Sequence, residues 1–292
     1  MSEKRKSEVY GFHTRAVHVG NDVDKETGAV KRPITMANSY ELPYDPTEMN
    51  WSSAEGNLYT RNGGANQKYL QERIASLEGG DDCVVLASGV AALSGLFFSL
   101  LKSGDHVVFS SITYIAVYRL LNELFNGKFG VESTIVDTTD LDAVKAAIRP
   151  NTKLIHIETP GNPTISVTDI RALAEIAHEN GALLSVDNTF ASPYNQRPIE
   201  LGADFTVESL TKYINGHGDA MGGAIIGKKE YLDIIRAQAQ VNLGGTISPF
   251  NAWLIMRGSV TLPLRMKQHN ENALKIARWL KKQPGVSFVS YP

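Results

Sequence analysis

The chain has 292 residues, 42% of them hydrophobic and 21% charged, with a formal net charge of −2. That balance fits a folded enzyme built on one large domain, and it excludes the basic excess of a nucleic-acid or anionic-membrane binder. The one cysteine, Cys83, excludes an internal disulfide, and its neighbours Val84-Val85-Leu86 predict a buried thiol. Ser2-Glu3-Lys4-Arg5-Lys6 is charged with no apolar run behind it, and no apolar stretch reaches the ~20 residues of a membrane span, so a cytoplasmic location is expected.

The first sixty or so residues show little periodicity and carry Gly11, Gly20, Gly28, Pro33, Pro43, Pro46 and Gly56. They read as an irregular arm, and an arm of that length needs a surface to lie on, often that of a neighbouring subunit. From Asn66 the pattern turns helical, with Leu70, Ile74 and Leu77 on one face and Gly79-Gly80 as the stop.

Alternation follows. Apolar β-type runs occur at 83–87, 106–109, 131–136, 154–157, 183–186, 205–207 and 224–226. Helical faces separate most of them, among them Val90-Leu93-Phe97-Leu101 and Ile170-Leu173-Ala174-Ala177. The second of these takes Thr168 as its expected N-cap and Gly181 as its stop. The expectation is a three-layer α/β/α fold around a mostly parallel, seven-stranded sheet. After Ser248-Pro249 come a helix over 250–256 and a long amphipathic one over 264–282, then Pro284-Gly285 and an apparent strand at 286–291. This division gives an arm at 1–62, a main domain at 63–256 and the start of a smaller domain at 257–292.

In such sheets ligands bind outside the carboxyl ends of the strands. Ser88-Gly89, Ser110 to Tyr114, Glu158 to Asn162, Asp187-Asn188 and Ser209 to Lys212 all fall there. Within this set Asp187 and Lys212 form a pair with a specific chemical meaning. A lysine amine can hold pyridoxal 5′-phosphate (PLP) as a Schiff base, and a carboxylate can keep the pyridine nitrogen protonated so that the ring accepts electrons. Gly89 and Val90 would present free amides at a helix N-terminus, where a phosphate is favoured, although the same residues make an ordinary strand-to-helix turn. Ser209 and Thr211 add hydroxyls, which turns also use for local reasons. Gly222-x4-Gly227-Lys228 is not a nucleotide phosphate loop, because Lys229 stands where a magnesium-binding Ser or Thr belongs and the segment spans a strand. The seven histidines have no metal-ligand spacing, and no metal is expected.

Ser-Leu-Thr-Lys-Tyr-Ile-Asn-Gly-His-Gly-Asp at 209–219 closely resembles the cofactor-lysine motif of the Cys/Met-metabolism PLP family. Ordered matches span most of the chain: Tyr59-Thr60-Arg61, Ala87-Ser88-Gly89, Glu158 to Pro163, Val186 to Thr189, and Ser248-Pro249-Phe250. The resemblance implies the fold-type I PLP architecture and a role for each matching residue. Lys212 would hold PLP and carry protons, Asp187 would pair with the ring nitrogen, and Tyr114 would stack on the ring and assist proton transfer. Asn162 would contact the ring's phenolic oxygen; Ser88, Gly89, Val90, Ser209 and Thr211 would hold the phosphate. Tyr59 and Arg61 would reach the phosphate of a neighbouring subunit, implying a homotetramer built from catalytic dimers.

The activity so implied is a C–S lyase of sulfur amino-acid metabolism. It would carry out α,γ-elimination on cystathionine, homocysteine or methionine, giving 2-oxobutanoate and ammonia. The alternatives are a γ-replacement enzyme of the cystathionine γ-synthase or O-acetylhomoserine sulfhydrylase type, a β-lyase, or a non-catalytic PLP-binding subunit or fragment. The sequence departs from the family pattern in several places. No proline follows Arg61 in Asn62-Gly63-Gly64-Ala65-Asn66, Ile115-Ala116 replaces a small pair, and Glu208 stands where a histidine is frequent. Methionine γ-lyases commonly carry a cysteine at the position of Ala116. The family's C-terminal domain also supplies an arginine for the substrate carboxylate, which residues 257–292 are not expected to provide.

Overall fold

A computed structural model of the chain describes residues 9–42, 44, 45, 47, 49 and 58–292. Pro43, Pro46, Gly56 and the charged run Ser2 to Lys6 lie outside the described residues. Seven strands form one sheet: β1 (Asp82–Leu86), β2 (His106–Ser110), β3 (Glu132–Val136), β4 (Thr152–Glu158), β5 (Leu183–Asp187), β6 (Phe205–Glu208) and β7 (Gly223–Gly227). Their order is β1-β7-β6-β5-β4-β2-β3. Only β7 runs antiparallel to its neighbours β1 and β6; the remaining pairs are parallel.

Most strands are apolar on both faces because both faces are covered, whereas the edge strand β3 has no buried residue. Along β1, Val84 and Leu86 enter one cluster with Leu93, Leu96 and Phe97, while Cys83 and Val85 enter another with Leu70, Ile74 and Leu77. This period of two is the pleat itself. Helix α1 (Phe12–His18) belongs to the N-terminal segment, α2 (Ala65–Glu78) covers the second face, and α3 (Gly89–Leu100) covers the first. Helix α4 (Ile170–Glu179) packs Leu173 and Ala177 on Ile155, Ile157 and Leu184 of the same face as α2, one cluster further along. Cys83 is fully buried, and desolvation drives its thiol pKa well up.

Helices α5 (Pro249–Ser259) and α6 (Leu262–Leu280) close the chain. Among the described residues no helix is long and apolar enough to cross a membrane. The N-terminal segment lies on its own chain over much of residues 10–35. Fully buried Arg73 donates from Nε to Val19 O at 2.9 Å and from Nη1 to Met256 O at 2.7 Å, so one guanidinium ties the arm, α2 and α5 together. Asn66 Nδ2 bonds Pro33 O, and Trp253 Nε1 bonds Arg32 O.

Three local expectations change. The N-cap of α4 is Asp169, whose carboxylate accepts from Arg171 N and Ala172 N, whereas Thr168 is buried and bonds Thr159 and Thr138. Helix α6 starts at Leu262 and takes Pro263 into its first turn, where a missing N–H costs nothing. Residues 286–291 are not a strand: among the described residues no strand pairs with them, and Phe288 is 82% exposed. Replacing Asp169 by Ala is expected to lower stability by about 1 kcal/mol, measured by denaturant unfolding, because two amides of the first turn lose their acceptor.

Candidate active site

Strands β1, β2, β4, β5 and β6 all point their carboxyl ends to one edge, and a cavity of about 690 Å³ opens there. Of the residues predicted from the sequence, Ser88, Gly89, Val90, Tyr114, Asn162, Asp187, Ser209, Thr211 and Lys212 all line it. Tyr59 and Arg61 do not. Their side chains stack with each other, the Arg61 guanidinium 5.2 Å from the Tyr59 ring centre.

Asp187 ends β5 and is 7% exposed. Burial raises its pKa, while hydrogen bonds from the Thr189 hydroxyl and amide oppose that shift. The same Thr189 oxygen accepts from Ser209 N at 2.8 Å, so one threonine couples the end of β5 to the turn that follows β6. Lys212 lies on that turn, exposed to the cavity.

The segment after Lys212 is held from α6. Arg265 donates from Nη1 to Tyr213 O at 2.6 Å and from Nη2 to Ile214 O at 3.2 Å and Gly258 O at 3.1 Å. Gly216 has φ +72°, and a Cβ there would lie 2.1 Å from Arg265 Nη1, so only glycine lets the guanidinium lie against this turn.

Opposite, α3 begins at the cavity with Ser88 as its N-cap; Ser88 Oγ accepts from Ala91 N at 3.1 Å. The amides of Gly89 and Val90 have no acceptor within the helix and face an anion-favouring end. Gly89 packs so closely on Ser209 that a Cβ would stand 2.8 Å from Ser209 Cβ. That contact brings the amide pair beside the Ser209 and Thr211 hydroxyls, which suits a phosphate. Thr211 Oγ1 also bonds the Gly222 backbone at 3.2 Å.

Glu158 had appeared only as one residue in a strand-end segment, and the structure gives it a distinct place. Its Oε2 accepts from Tyr114 N at 2.6 Å and its Oε1 from Asn162 N at 2.9 Å. One buried carboxylate therefore sets the two loops that carry the aromatic ring and the amide. Burial first, then the Asp187 charge, push its pKa up to about 7 against those two amide bonds. Thr189, Glu158 and Arg265 were not predicted as site residues. A signal existed for Glu158, an acid at the end of an apolar run four residues before Asn162, but nothing local marked Arg265.

Known proteins resemble this chain over most of its length. The description of the Cys/Met metabolism PLP-dependent enzyme family matches residues 13–292. A canavanine γ-lyase of Rhizobium leguminosarum bv. trifolii is 58% identical over 96% of this chain and 70% of its own length. An L-methionine γ-lyase of Porphyromonas gingivalis is 41% identical, over 97% of this chain and 71% of its own. The crystal structure of cystathionine γ-lyase from Lactobacillus plantarum complexed with L-serine superposes with a TM-score of 0.87 at 38% identity, covering 94% of this chain and 70% of that one. With the fold and the sequence in agreement, the chain belongs to the Cys/Met metabolism PLP-dependent enzyme family.

Proposed function

We propose that this chain catalyses γ-elimination on an amino acid carrying a heteroatom leaving group at Cγ, with canavanine as the preferred substrate. The observation that carries the reaction is the joint presence of Lys212 and Asp187 on one cavity, flanked by the Gly89–Ser209 contact. Support for the substrate comes from the 58% identity to a canavanine γ-lyase, against 41% to an L-methionine γ-lyase.

When bound, PLP supplies an electron sink that makes the substrate's Cα–H acidic. The roles of the chain's own residues follow from their chemistry. Lys212 would hold the cofactor through its amine, and the same amine would take the Cα proton and move protons along the substrate carbons. Asp187, oriented by Thr189, holds a proton at the ring nitrogen; a cation there offsets the desolvation of its carboxylate. The Gly89 and Val90 amides with the Ser209 and Thr211 hydroxyls bind the phosphate. Ser88 serves the same end indirectly, by capping the helix that presents those amides.

Tyr114, on the cavity wall, would pack on the cofactor ring and donate a proton to the departing heteroatom, and Asn162 would contact the phenolic oxygen. Glu158 keeps both in place. Tyr59 and Arg61, which do not line the cavity of their own chain, serve the cavity of a neighbouring subunit in a homotetramer. In canavanine the bond broken is Cγ–O; in a thioether it is Cγ–S. The same residues serve both, and the 41% relative keeps methionine, homocysteine and cystathionine as the second reading.

A panel of canavanine, methionine, homocysteine and cystathionine tests the choice. Canavanine is expected to show the highest kcat/KM by about tenfold or more, ~1.4 kcal/mol in barrier, and Lys212→Ala should release no leaving group from any of them. A thioether turned over faster than canavanine would establish the second reading.

Asp187→Asn is expected to lower turnover about 100-fold, roughly 3 kcal/mol of transition-state stabilisation. The ligand-free variant should nevertheless be at least as stable as the parent at pH 7–8 by thermal unfolding. The sign follows from linkage: a carboxyl with a raised folded pKa stabilises the fold fully below its unfolded pKa, and that contribution is lost as pH rises. Glu158→Ala removes the acceptor of two part-buried amides, so a loss of about 1–2 kcal/mol of stability and weaker PLP binding are expected, read by unfolding and by cofactor titration.

A further inference from the structure

Strand β6 ends at Glu208, immediately before the Ser209–Lys212 turn, and α2 ends at Glu78. Both side chains are buried, 1% and 0% exposed, and they lie within hydrogen-bonding reach of each other. Neither lines the cavity. Glu78 Oε1 accepts from Asn188 Nδ2 at 3.2 Å, and Asn188 directly follows Asp187. Asn188 also lies within hydrogen-bonding reach of Glu208, and its side chain bonds Gln196, Nδ2 donating to Gln196 O at 2.9 Å and Oδ1 accepting from Gln196 Nε2 at 3.0 Å. Glu78 Oε2 and Glu208 Oε1 are buried acceptors with no donor among the described residues.

Two ionised carboxylates in contact, desolvated and next to Asp187, would repel one another strongly. A hydrogen between them removes the repulsion and supplies a donor to the pair. We propose that Glu78 and Glu208 share one proton, carried on Glu208 and donated to Glu78, and that this pair positions Asp187 and the Lys212 turn for the reaction. The role assigned to Asp187 and Lys212 is the one proposed above, and this inference rests on it.

The surrounding groups decide which carboxyl keeps the charge. Asn188 reaches both carboxyls, so the nearby cation decides: Glu78 faces Arg197, itself paired to Glu200 at 2.7 Å with Arg15 beyond them. Glu208 faces only negative neighbours among its charged contacts, Glu78 and Asp187. Burial pushes both upward, Glu78 to about 7 and Glu208 well above the ordinary carboxylate range.

The consequence reaches the site through two links. The shared proton ties the end of β6 to α2, and Asn188 ties the same pair to the end of β5. A neutral Glu208 also spares Asp187 a second adjacent charge, which would raise its proton affinity and turn it from an acceptor into a donor. Glu208 replaces the histidine frequent in the family motif. A neutral histidine would donate to Glu78 from its own N–H; a glutamate donates only by holding a proton.

The ligand-free chain with ¹³C-labelled glutamate carboxyls provides the first measurement. One resonance, absent in Glu208→Gln, should keep the shift of a protonated carboxyl through pH 7. An ionised Glu208 at pH 6 would overturn the proposal.

The second measurement is stability against pH. The pair's raised folded pKa values stabilise the fold fully below the unfolded value near ~4.3, and this is lost as pH rises. From pH 6 to 8 the stability of Glu208→Gln should therefore fall less steeply than that of the parent, by about one proton per molecule unfolded. Equal slopes would contradict the shared proton. Both readings are made without cofactor, so they judge the pair even if the functional reading fails.

In the PLP-loaded chain, Glu208→Gln keeps a donor to Glu78 and should leave the midpoint of the cofactor's pH-dependent absorbance in place. Glu208→Ala should move it by about one unit. An unmoved midpoint in Glu208→Ala would remove the positioning role.

Discussion

The constraint on which the site depends is the cost of ending buried strands in carboxylates. β4, β5 and β6 lie side by side and close on Glu158, Asp187 and Glu208, all less than 10% exposed. An unpaired carboxylate in such surroundings costs several kcal/mol or takes up a proton. Each of the three meets that cost differently. Glu158 accepts two backbone amides, Asp187 accepts from Thr189 and faces the cavity, and Glu208 contacts Glu78. The polar edge of the sheet is a set of desolvation problems met in different ways, and in the proposed function a cationic ring nitrogen would meet the one at Asp187.

That arrangement explains why the residues that hold the site in place are scattered through the chain. Thr189 couples Asp187 to Ser209, and Arg265 couples α6 to the turn after Lys212. Arg73 fixes the N-terminal segment to α2 and α5 behind them. The arginine bonds join elements far apart in sequence and Thr189 joins the ends of consecutive strands, and each uses a charged or hydroxyl group against backbone carbonyls or amides. A geometry so built is rigid because the partners belong to the framework, not to mobile side chains.

The strands were legible in the sequence because they are continuous apolar runs, and all seven lie within a residue or two of where those runs place them. Their last residues were less legible. Glu158, Asp187 and Glu208 are charged, so they read as the beginning of a loop, whereas the ladder carries them into the sheet. Asp169 and Thr168 are both good N-caps by type, and only the burial of Thr168 against Thr138 and Thr159 decides between them. The segment 286–291 has the composition of a strand, but strand structure needs a hydrogen-bonded neighbour, and composition says nothing about that.

The same division separates the legible and illegible parts of the candidate site. Lys212 and Asp187 could be found because the chemistry demands those residue types: no other side chain forms the imine or holds the pyridinium proton in the same way. The groups around them answer only to geometry. A donor to Glu78, an acceptor for the Tyr114 amide or a clamp on Tyr213 O can be supplied by several residue types from any element that passes near. Substrate choice belongs to this second class. The cavity walls beyond the cofactor residues include Phe190, Tyr213, Met221 and His269, an apolar and aromatic surface with one imidazole. Such a wall discriminates by shape and by a few polar contacts, so two enzymes can share every cofactor residue and still break different Cγ–heteroatom bonds.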